Sequence, residues 1–276
     1  MTALLDLSDV SVAIGTTALL DRISLRLDKG QILGLVGESG SGKSLTATAA
    51  LGLLPLIGGR VTAGTVRFDG QDLAAMTDRQ RRDLRGRRIG FVSQNPMTAL
   101  DPVQRIGEQV DVVSRLHLGL SRQAARARTL DLLTQLRIPG AAALAECWPH
   151  QLSGGMRQRG LALMLITHDM GVVAQICDRV TVLYAGRVAE EGPVAPIFAA
   201  PAHPYTAALI GCIPQDGMEK GALKGIPGAV PSALAFAPGC RFSPRCTRAD
   251  DACRQVPPLQ SRGQGLVACH HAGEGA

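Results

Sequence analysis

The sequence predicts an α/β fold with a mixed β-sheet core, because strand-like and helix-like segments both recur along the chain. Residues 31–36 form a short, mostly apolar run, which is typical of a buried parallel strand. Residues 4–7, 10–14 and 23–27 alternate apolar and polar side chains, which indicates antiparallel strands with one wet face. A helical pattern covers residues 106–118 and 122–136. We therefore expect an antiparallel β-subdomain and a helical subdomain on a mixed sheet.

Length and composition limit the possible classes of protein. The chain has 276 residues, enough for one large domain or two. Hydrophobic residues make up 46% but aromatic residues only 3%, so we expect an aliphatic core. The first ten residues include Asp6 and Asp9, which argues against a signal peptide, and no apolar run is long enough to span a membrane. We expect a cytosolic or peripherally membrane-bound protein.

A glycine-rich stretch follows the first predicted parallel strand. Residues 37–44 read Gly-Glu-Ser-Gly-Ser-Gly-Lys-Ser, the G-x-x-x-x-G-K-S phosphate-binding loop, or P-loop. The next residues, 45–54, favour a helix, whose N-terminus would add partial positive charge to the backbone N–H groups of the loop. A plain strand-to-helix turn is the alternative, but the full match favours ATP and Mg²⁺. The candidate ATP-binding residues are Gly37, Ser39, Gly40, Ser41, Gly42, Lys43 and Ser44.

Two of these side chains have specific expected roles. Lys43 would reach the β- and γ-phosphates of the nucleotide, and the Ser44 hydroxyl would bind Mg²⁺.

An arginine-rich stretch lies between the P-loop and the helical pattern. Residues 79–88 contain six arginines, which suggests either a nucleic-acid patch or a solvated helix face. Asp78 and Asp83 dilute the charge and no aromatic residues interleave, so we favour the solvated helix and expect no nucleic-acid partner. Residues 88–92 are expected to form a buried strand leading to Gln94.

Four motifs in a fixed order resemble one family, the nucleotide-binding subunits of ABC transporters. They are the P-loop, a strand followed by Gln94, the Leu-Ser-Gly-Gly-Met-Arg-Gln signature at residues 152–158, and an apolar strand followed by His168. Residues 94–102, residues 203–206 (His-Pro-Tyr-Thr) and the cysteine-containing tail are similar to dipeptide, oligopeptide and nickel importers of that family.

The resemblance implies a P-loop NTPase domain of the ABC type at residues 1–205, with its helical subdomain at about residues 96–158. Residues 206–276 would form an oligopeptide/dipeptide-transporter-type C-terminal domain. In the family, Gln94 would contact Mg²⁺ or the attacking water, and His168 would hold the γ-phosphate and that water. Across a head-to-tail dimer, the partner's γ-phosphate would meet Ser153, Gly154 and Gly155.

The resemblance also implies partners and a location. They are a second ATP-binding subunit, two transmembrane permease subunits, and a periplasmic or extracellular solute-binding protein. The chain would lie at the cytoplasmic face of the inner membrane and couple ATP hydrolysis to peptide uptake. Whether the cargo is a dipeptide, an oligopeptide or nickel depends on the other subunits.

One interval departs from the family pattern. Family members carry a Walker-B strand between signature and switch histidine, ending in an Asp for Mg²⁺ and a Glu for water, followed by a D-loop. Here Ser153 and His168 are fifteen positions apart, and residues 154–166 contain no Asp or Glu. The sequence therefore predicts that an internal deletion has removed the Walker-B strand. Either the chain still acts as an importer ATPase, or it is a hydrolysis-deficient or regulatory subunit that needs an intact partner.

Four cysteines lie near the C-terminus in the pattern C-x5-C-x6-C-x15-C, at Cys240, Cys246, Cys253 and Cys269. In a cytosolic protein such a group indicates metal rather than disulfides. Zinc sites usually have tighter spacings, whereas similar tails in dipeptide importers are associated with a 4Fe–4S cluster. We expect a cluster, with zinc or with free or disulfide-bonded cysteines as alternatives, and surface positions for the adjacent His270 and His271.

Overall fold

The computed structural model describes residues 3–91, 101, 103–135, 140–148, 162–213 and 225–272. Gln94 and the signature residues Ser153, Gly154 and Gly155 lie outside the described residues. The chain divides into two compact units, one formed by Met1–Ala75 with Gly160–Ala276 and the other by Met76–Arg159. In the parts of the chain that are described, no helix combines the length and the apolar character needed to cross a membrane.

The described residues form both strands and α-helices. The strands are β1 (Leu5–Ile14), β2 (Thr17–Leu27), β3 (Ile32–Val36), β4 (Gly59–Phe68), β5 (Gln71–Asp72), β6 (Leu163–Ile166), β7 (Arg179–Tyr184), β8 (Arg187–Pro193), β9 (Gln260–Arg262) and β10 (Gly265–Val267). The helices are α1 (Lys43–Ala50), α2 (Asp78–Leu84), α3 (Ile106–Leu118), α4 (Arg122–Gln135), α5 (Ala141–Glu146), α6 (Met170–Ile176), α7 (Val194–Ala199) and α8 (Pro204–Gly211).

An antiparallel sheet in the order β2-β1-β4-β5 confirms the predicted β-subdomain. Alternate residues of β1 are buried, as the sequence pattern predicts. The sequence pattern predicts two short strands at residues 4–7 and 10–14, but these residues form one strand. Strand β1 continues through an irregularity between Leu7 and Val10. Asp9, inside this irregularity, has a φ of 49°, which shifts the register without ending the strand.

A second sheet has the order β6-β3-β7-β8-β10-β9 and confirms the predicted mixed core. Strand β3 pairs in parallel with β6 and β7, while β8, β10 and β9 follow antiparallel. Leu33, Leu35 and Val36 of β3 are completely buried, as expected of a central parallel strand. The pairing of β10 with β8 brings the C-terminal segment, residues 225–272, into the core sheet.

Strand β6 is an edge strand in the described structure, where it pairs with β3 alone. All four of its residues are apolar, yet none is buried, and Leu163 is 43% exposed. Apolar strands in parallel sheets are normally covered on both sides. The exposure of β6 is therefore unusual for its composition.

The second unit contains helices α2 to α5 and confirms the predicted helical segments. Helices α3, α4 and α5 pack together, and Arg126 pairs with Asp111 at 2.9 Å and with Glu146 at 2.5 Å. Helix α2 starts at a capping box between Thr77 and Gln80 and buries none of its residues. The arginine-rich stretch thus begins on a solvated helix.

The buried strand predicted at residues 88–92 is wrong for the part that is described. Residues 88–91 form no strand beyond an isolated bridge between Arg85 and Ile89. Phe91 is 64% exposed. The apolar Ile89 and Phe91 favour a buried strand, but a strand needs a neighbour, and among the described residues no strand pairs with this segment.

A small aromatic cluster lies within the largely aliphatic core. Tyr184, Tyr205 and Phe242 contact one another with ring centroids 4.7–5.3 Å apart, and His203 stacks beside Phe242 at 5.8 Å. Three of these residues come from β7 and the start of α8, and Phe242 comes from the C-terminal segment. The cluster therefore joins that segment to the core.

Within this cluster His203 is buried and caps α8, where its Nδ1 accepts the Tyr205 N–H at 3.0 Å. The Glu190 carboxylate accepts the backbone N–H groups of Ala202 and His203 at 2.8 and 3.0 Å. Burial lowers the pKa of His203 to about 4. The cap needs an unprotonated nitrogen, so the neutral form fits both the burial and the hydrogen bond.

Protonation of His203 predicts acid-sensitive stability. Below its unfolded pKa of about 6.5 the unfolded chain binds a proton that the folded chain excludes, so the free energy of unfolding should fall between about pH 6.5 and 4. His203→Asn keeps a capping acceptor without titrating and should flatten this dependence, measured by urea unfolding across that window. His168→Asn, at an exposed histidine, is the control. Parallel pH profiles for wild type and His203→Asn would contradict the assignment.

Candidate nucleotide-binding site

The P-loop connects β3 to α1 through glycines in left-handed conformations. Gly37, Gly40 and Gly42 have φ angles of 144°, 82° and 105°. A Cβ on Gly37 would collide with the Leu183 carbonyl oxygen, and one on Gly42 would lie 2.7 Å from the Leu20 side chain. Both positions therefore require glycine for conformational and steric reasons.

The loop is fixed by hydrogen bonds to the core. Ser41 is fully buried, and its carbonyl accepts the Gly186 N–H at 2.9 Å from the turn between β7 and β8. The Thr46 hydroxyl donates to the Gly42 carbonyl at 2.9 Å. No side chain caps α1, and no acidic residue lies in its first turn. Its free N–H groups thus suit an anion.

Lys43 is held inside the loop. Its Nζ donates to the carbonyls of Gly37 and Glu38 at 2.6 and 2.8 Å and to the Ser41 hydroxyl at 3.3 Å. Burial lowers the pKa of Lys43, and the nearby Glu38 carboxylate opposes that shift. These loop oxygens accept the N–H groups of Lys43 that would otherwise donate to phosphate oxygens. Ser44, the next residue, is exposed, so its hydroxyl is open to a metal ion.

His168 leaves β6 beside the start of the P-loop. The parallel register pairs Leu35 with Ile166, which places His168 level with Gly37. His168 is exposed. The following Asp169 caps α6 by accepting the Val172 N–H at 3.1 Å. The Asp169 carboxylate is therefore engaged in a helix cap.

Two contacts to the P-loop were not anticipated from the sequence. The Tyr205 hydroxyl accepts the Glu38 N–H at 2.8 Å, and Arg245 pairs with the Glu38 carboxylate at 2.7 Å. In the sequence, residues 203–206 stand out only as a family motif. Arg245 lies between two cysteines and belongs to no motif. The sequence therefore links Arg245 only to the neighbouring Cys246. That position indicates a metal site and gives no sign of a contact with the P-loop.

The four tail cysteines are free thiols, and the Cys240 N–H donates to the Cys253 carbonyl at 2.9 Å. Burial raises the pKa of Cys240, and Cys253 and Cys246 raise it further. Burial also raises the pKa of Cys269, and so do the other three thiols. Each additional thiolate would repel the others, so a bound cation would be needed to hold all four ionised.

His271 differs from its expected surface position. Its side chain is 20% exposed and its Nε2 lies 3.1 Å from an Asp250 carboxylate oxygen. Potential ligand atoms of Asp250, Cys253 and His271 all lie within 4.8 Å of one another. The tail thus brings a carboxylate and an imidazole close to one of the four thiols.

The strand, loop and helix define a P-loop nucleotide-binding protein. The model of the ABC transporter family matches residues 20–172, and that of the oligopeptide/dipeptide transporter C-terminal region matches residues 189–253. The chain belongs to the ABC transporter family of ATP-binding proteins, in the branch that carries this C-terminal region.

Relatives match almost the whole chain. The dipeptide transport ATP-binding protein DppD of Escherichia coli is 36% identical over 317 residues, covering 98% of this chain and 97% of the relative. The oligopeptide transport ATP-binding protein OppD of Salmonella typhimurium is 36% identical over 314 residues, covering 96% and 93%.

Among solved structures, a dimeric bacterial ABC transporter cassette has a TM-score of 0.57 at 23% identity. The aligned region covers 69% of this chain and 98% of the chain in that structure. This similarity shows the ABC ATPase fold.

Lys43→Ala should abolish nucleotide binding, because it removes the charge that pairs with the β- and γ-phosphates. A fluorescent ATP analogue titrated into wild-type and variant protein measures the effect. Lys29→Ala is the control, since Lys29 is exposed and pairs with Asp69 outside the loop. Equal affinities of wild type and Lys43→Ala would contradict the site.

Proposed function

We propose that this chain is the ATP-binding subunit of an ABC importer for dipeptides or oligopeptides. The observation that carries the proposal is the complete P-loop held in place by an oligopeptide/dipeptide-type C-terminal segment. The names of the relatives, dipeptide and oligopeptide transport ATP-binding proteins, support the class of cargo. Nickel is the alternative cargo that the sequence left open.

The proposed assembly follows the family. Two ATP-binding subunits would meet head to tail, so that Ser153, Gly154 and Gly155 of one complete the P-loop of the other. They would dock on two transmembrane permeases at the cytoplasmic face of the inner membrane and receive cargo from a solute-binding protein. Gln94 would report nucleotide binding to the permeases. Residues 1–205 and 206–276 remain our proposed domains.

Uptake tests this proposal. Cells lacking the gene should lose uptake of labelled dipeptide or oligopeptide, and the wild-type gene should restore it whereas Lys43→Ala should not. Lys29→Ala, outside the P-loop, should restore uptake like wild type. Loss of nickel uptake with peptide uptake intact would contradict the peptide assignment.

The residues that are present can hold a nucleotide. Lys43 would exchange its loop carbonyls for β- and γ-phosphate oxygens, and the N–H groups at the start of α1 would donate to the same oxygens. The exposed Ser44 hydroxyl would bind Mg²⁺, which supplies charge neutralisation when bound. His168, level with Gly37, would orient the γ-phosphate and the attacking water.

We also propose that the Walker-B strand is missing from the core. Three observations support this proposal. Residues 154–166 contain no Asp or Glu. The alignment to DppD is 317 residues long, whereas the chain has 276, so at least 41 positions have no counterpart here. Strand β6 is an exposed apolar edge strand in the described structure, as expected if a neighbouring strand has been removed.

Without that strand, binding and hydrolysis should separate. A positioned acid or base contributes about 10²–10⁴-fold to a rate, and the Mg²⁺ carboxylate would be absent as well. In a composite site, an intact partner subunit would supply the P-loop, the carboxylates and the switch histidine. This chain would then contribute only Ser153, Gly154 and Gly155.

The purified chain with Mg²⁺ and ATP should therefore release phosphate well below about 1 s⁻¹, the low end of the typical range of roughly 1–10³ s⁻¹. Addition of an intact partner subunit should raise the rate. Turnover by this chain alone at or above that rate, abolished by Lys43→Ala, would contradict the proposed loss.

The tail cysteines form the second proposed site. Burial raises the pKa of the thiols of Cys240, Cys253 and Cys269, which fits a cation that stabilises thiolates, and the wide spacing of the four cysteines favours a 4Fe–4S cluster over zinc. Cys240, Cys246, Cys253 and Cys269 would be the ligands. The alternative is a single zinc ion bound by Asp250, Cys253 and His271. Cys253 would be a ligand in either arrangement.

Metal analysis distinguishes these two arrangements. Anaerobically purified protein should be brown and hold about four irons per chain. Cys246→Ala should lose the iron, whereas Cys212→Ala, outside the tail, should keep it. Zinc without iron, lost on His271→Ala and kept in Cys246→Ala, would contradict the cluster.

A further inference from the structure

Arg245 connects the C-terminal segment to the P-loop through a fork-shaped ion pair. Its Nη1 lies 2.7 Å from Oε2 of Glu38, and its Nη2 lies 3.0 Å from Oε1. Only 6% of the Arg245 side chain is exposed, compared with 28% of Glu38. Two parallel N–H···O bonds fix both distance and orientation, which a single contact does not.

The rest of the guanidinium is equally constrained. Its Nε donates to the Pro227 carbonyl at 2.7 Å, and Nη2 also donates to the Ile226 carbonyl at 3.2 Å. Nη1 reaches the Tyr184 hydroxyl at 3.3 Å. Arg245 itself lies in a short 3-10 helix, Ser243–Arg245, between the buried Phe242 and Cys246. The side chain is therefore held in place before any nucleotide binds.

The position of Glu38 explains why this pair matters. Glu38 is the second residue of the P-loop, and its carboxylate is close enough to Lys43 to influence that ammonium. Without a partner, this carboxylate would attract Lys43 and repel phosphate oxygens. Arg245 neutralises the carboxylate and holds it toward the C-terminal segment. The Tyr205 hydroxyl fixes the backbone of the same residue.

We propose that Arg245 is a positioning residue for the P-loop, and that it couples the C-terminal segment to nucleotide affinity. The inference rests on ATP binding at the P-loop. It adds that Arg245, which lies outside the ATP-binding motifs, influences the affinity of that site. Coupling is reciprocal, so bound nucleotide should in turn stabilise the segment around Arg245.

A mutant cycle tests the proposal by titration with a fluorescent ATP analogue. Arg245→Ala should weaken binding roughly ten-fold, within the range of about 5–150-fold typical of coupled sites. Adding Glu38→Gln to Arg245→Ala should recover most of that loss, because no unpaired carboxylate remains beside Lys43. Arg245→Gln, which retains bulk without charge, carries the same prediction if the alanine variant is unstable.

Arg254→Ala is the matched control. Arg254 belongs to the same C-terminal segment and pairs with Asp251 at 2.9 Å, but the two side chains are 83% and 90% exposed. Exposed pairs contribute little, so this variant should bind like wild type.

The possible outcomes separate this inference from ATP binding itself. Wild-type affinity in Arg245→Ala and Arg245→Gln would overturn the inference while leaving the site intact. A double variant as weak as Arg245→Ala would also overturn it, because the loss would then reflect damage to the fold rather than the Glu38 charge. Absence of binding by the wild-type protein would overturn both.

Discussion

The parallel pairing of β3 with β6 and β7 is the constraint on which the site depends. Parallel strands bring their carboxyl ends to one edge of the sheet. At that edge β3 delivers the P-loop, β6 delivers His168, and β7 supplies the Leu183 carbonyl beside Gly37. Buried apolar side chains of β3 and β7 fix their register, and a one-residue slip would turn these groups away from one another.

The C-terminal segment is part of this arrangement rather than an appendage. Strand β10 extends the core sheet through β8, and Phe242 packs against both tyrosines of the aromatic cluster. Arg245 then reaches the P-loop from the same segment. A chain of contacts therefore runs from the cysteines, through the aromatic cluster, to the phosphate-binding residues.

Local features were predictable from the sequence, and long-range ones were not. The P-loop and helices α3 and α4 follow from glycine spacing and helical periodicity, which depend on neighbouring residues. The contacts of Glu38 join residues 167 and 207 positions apart, so no local pattern contains them. The prediction of a strand at residues 88–92 is wrong, as far as the segment is described, for a related reason. A strand requires a pairing partner, and periodicity does not reveal one.

We propose that the core sheet has lost one strand between the signature and His168 while keeping its nucleotide-binding loop. A tryptic digest of the protein purified from its native source tests this directly, because Arg159 and Arg179 bound a twenty-residue stretch without internal Lys or Arg. The account predicts one uninterrupted peptide covering residues 160–179. Peptides that place additional residues, among them the absent Asp and Glu, within that stretch would contradict it.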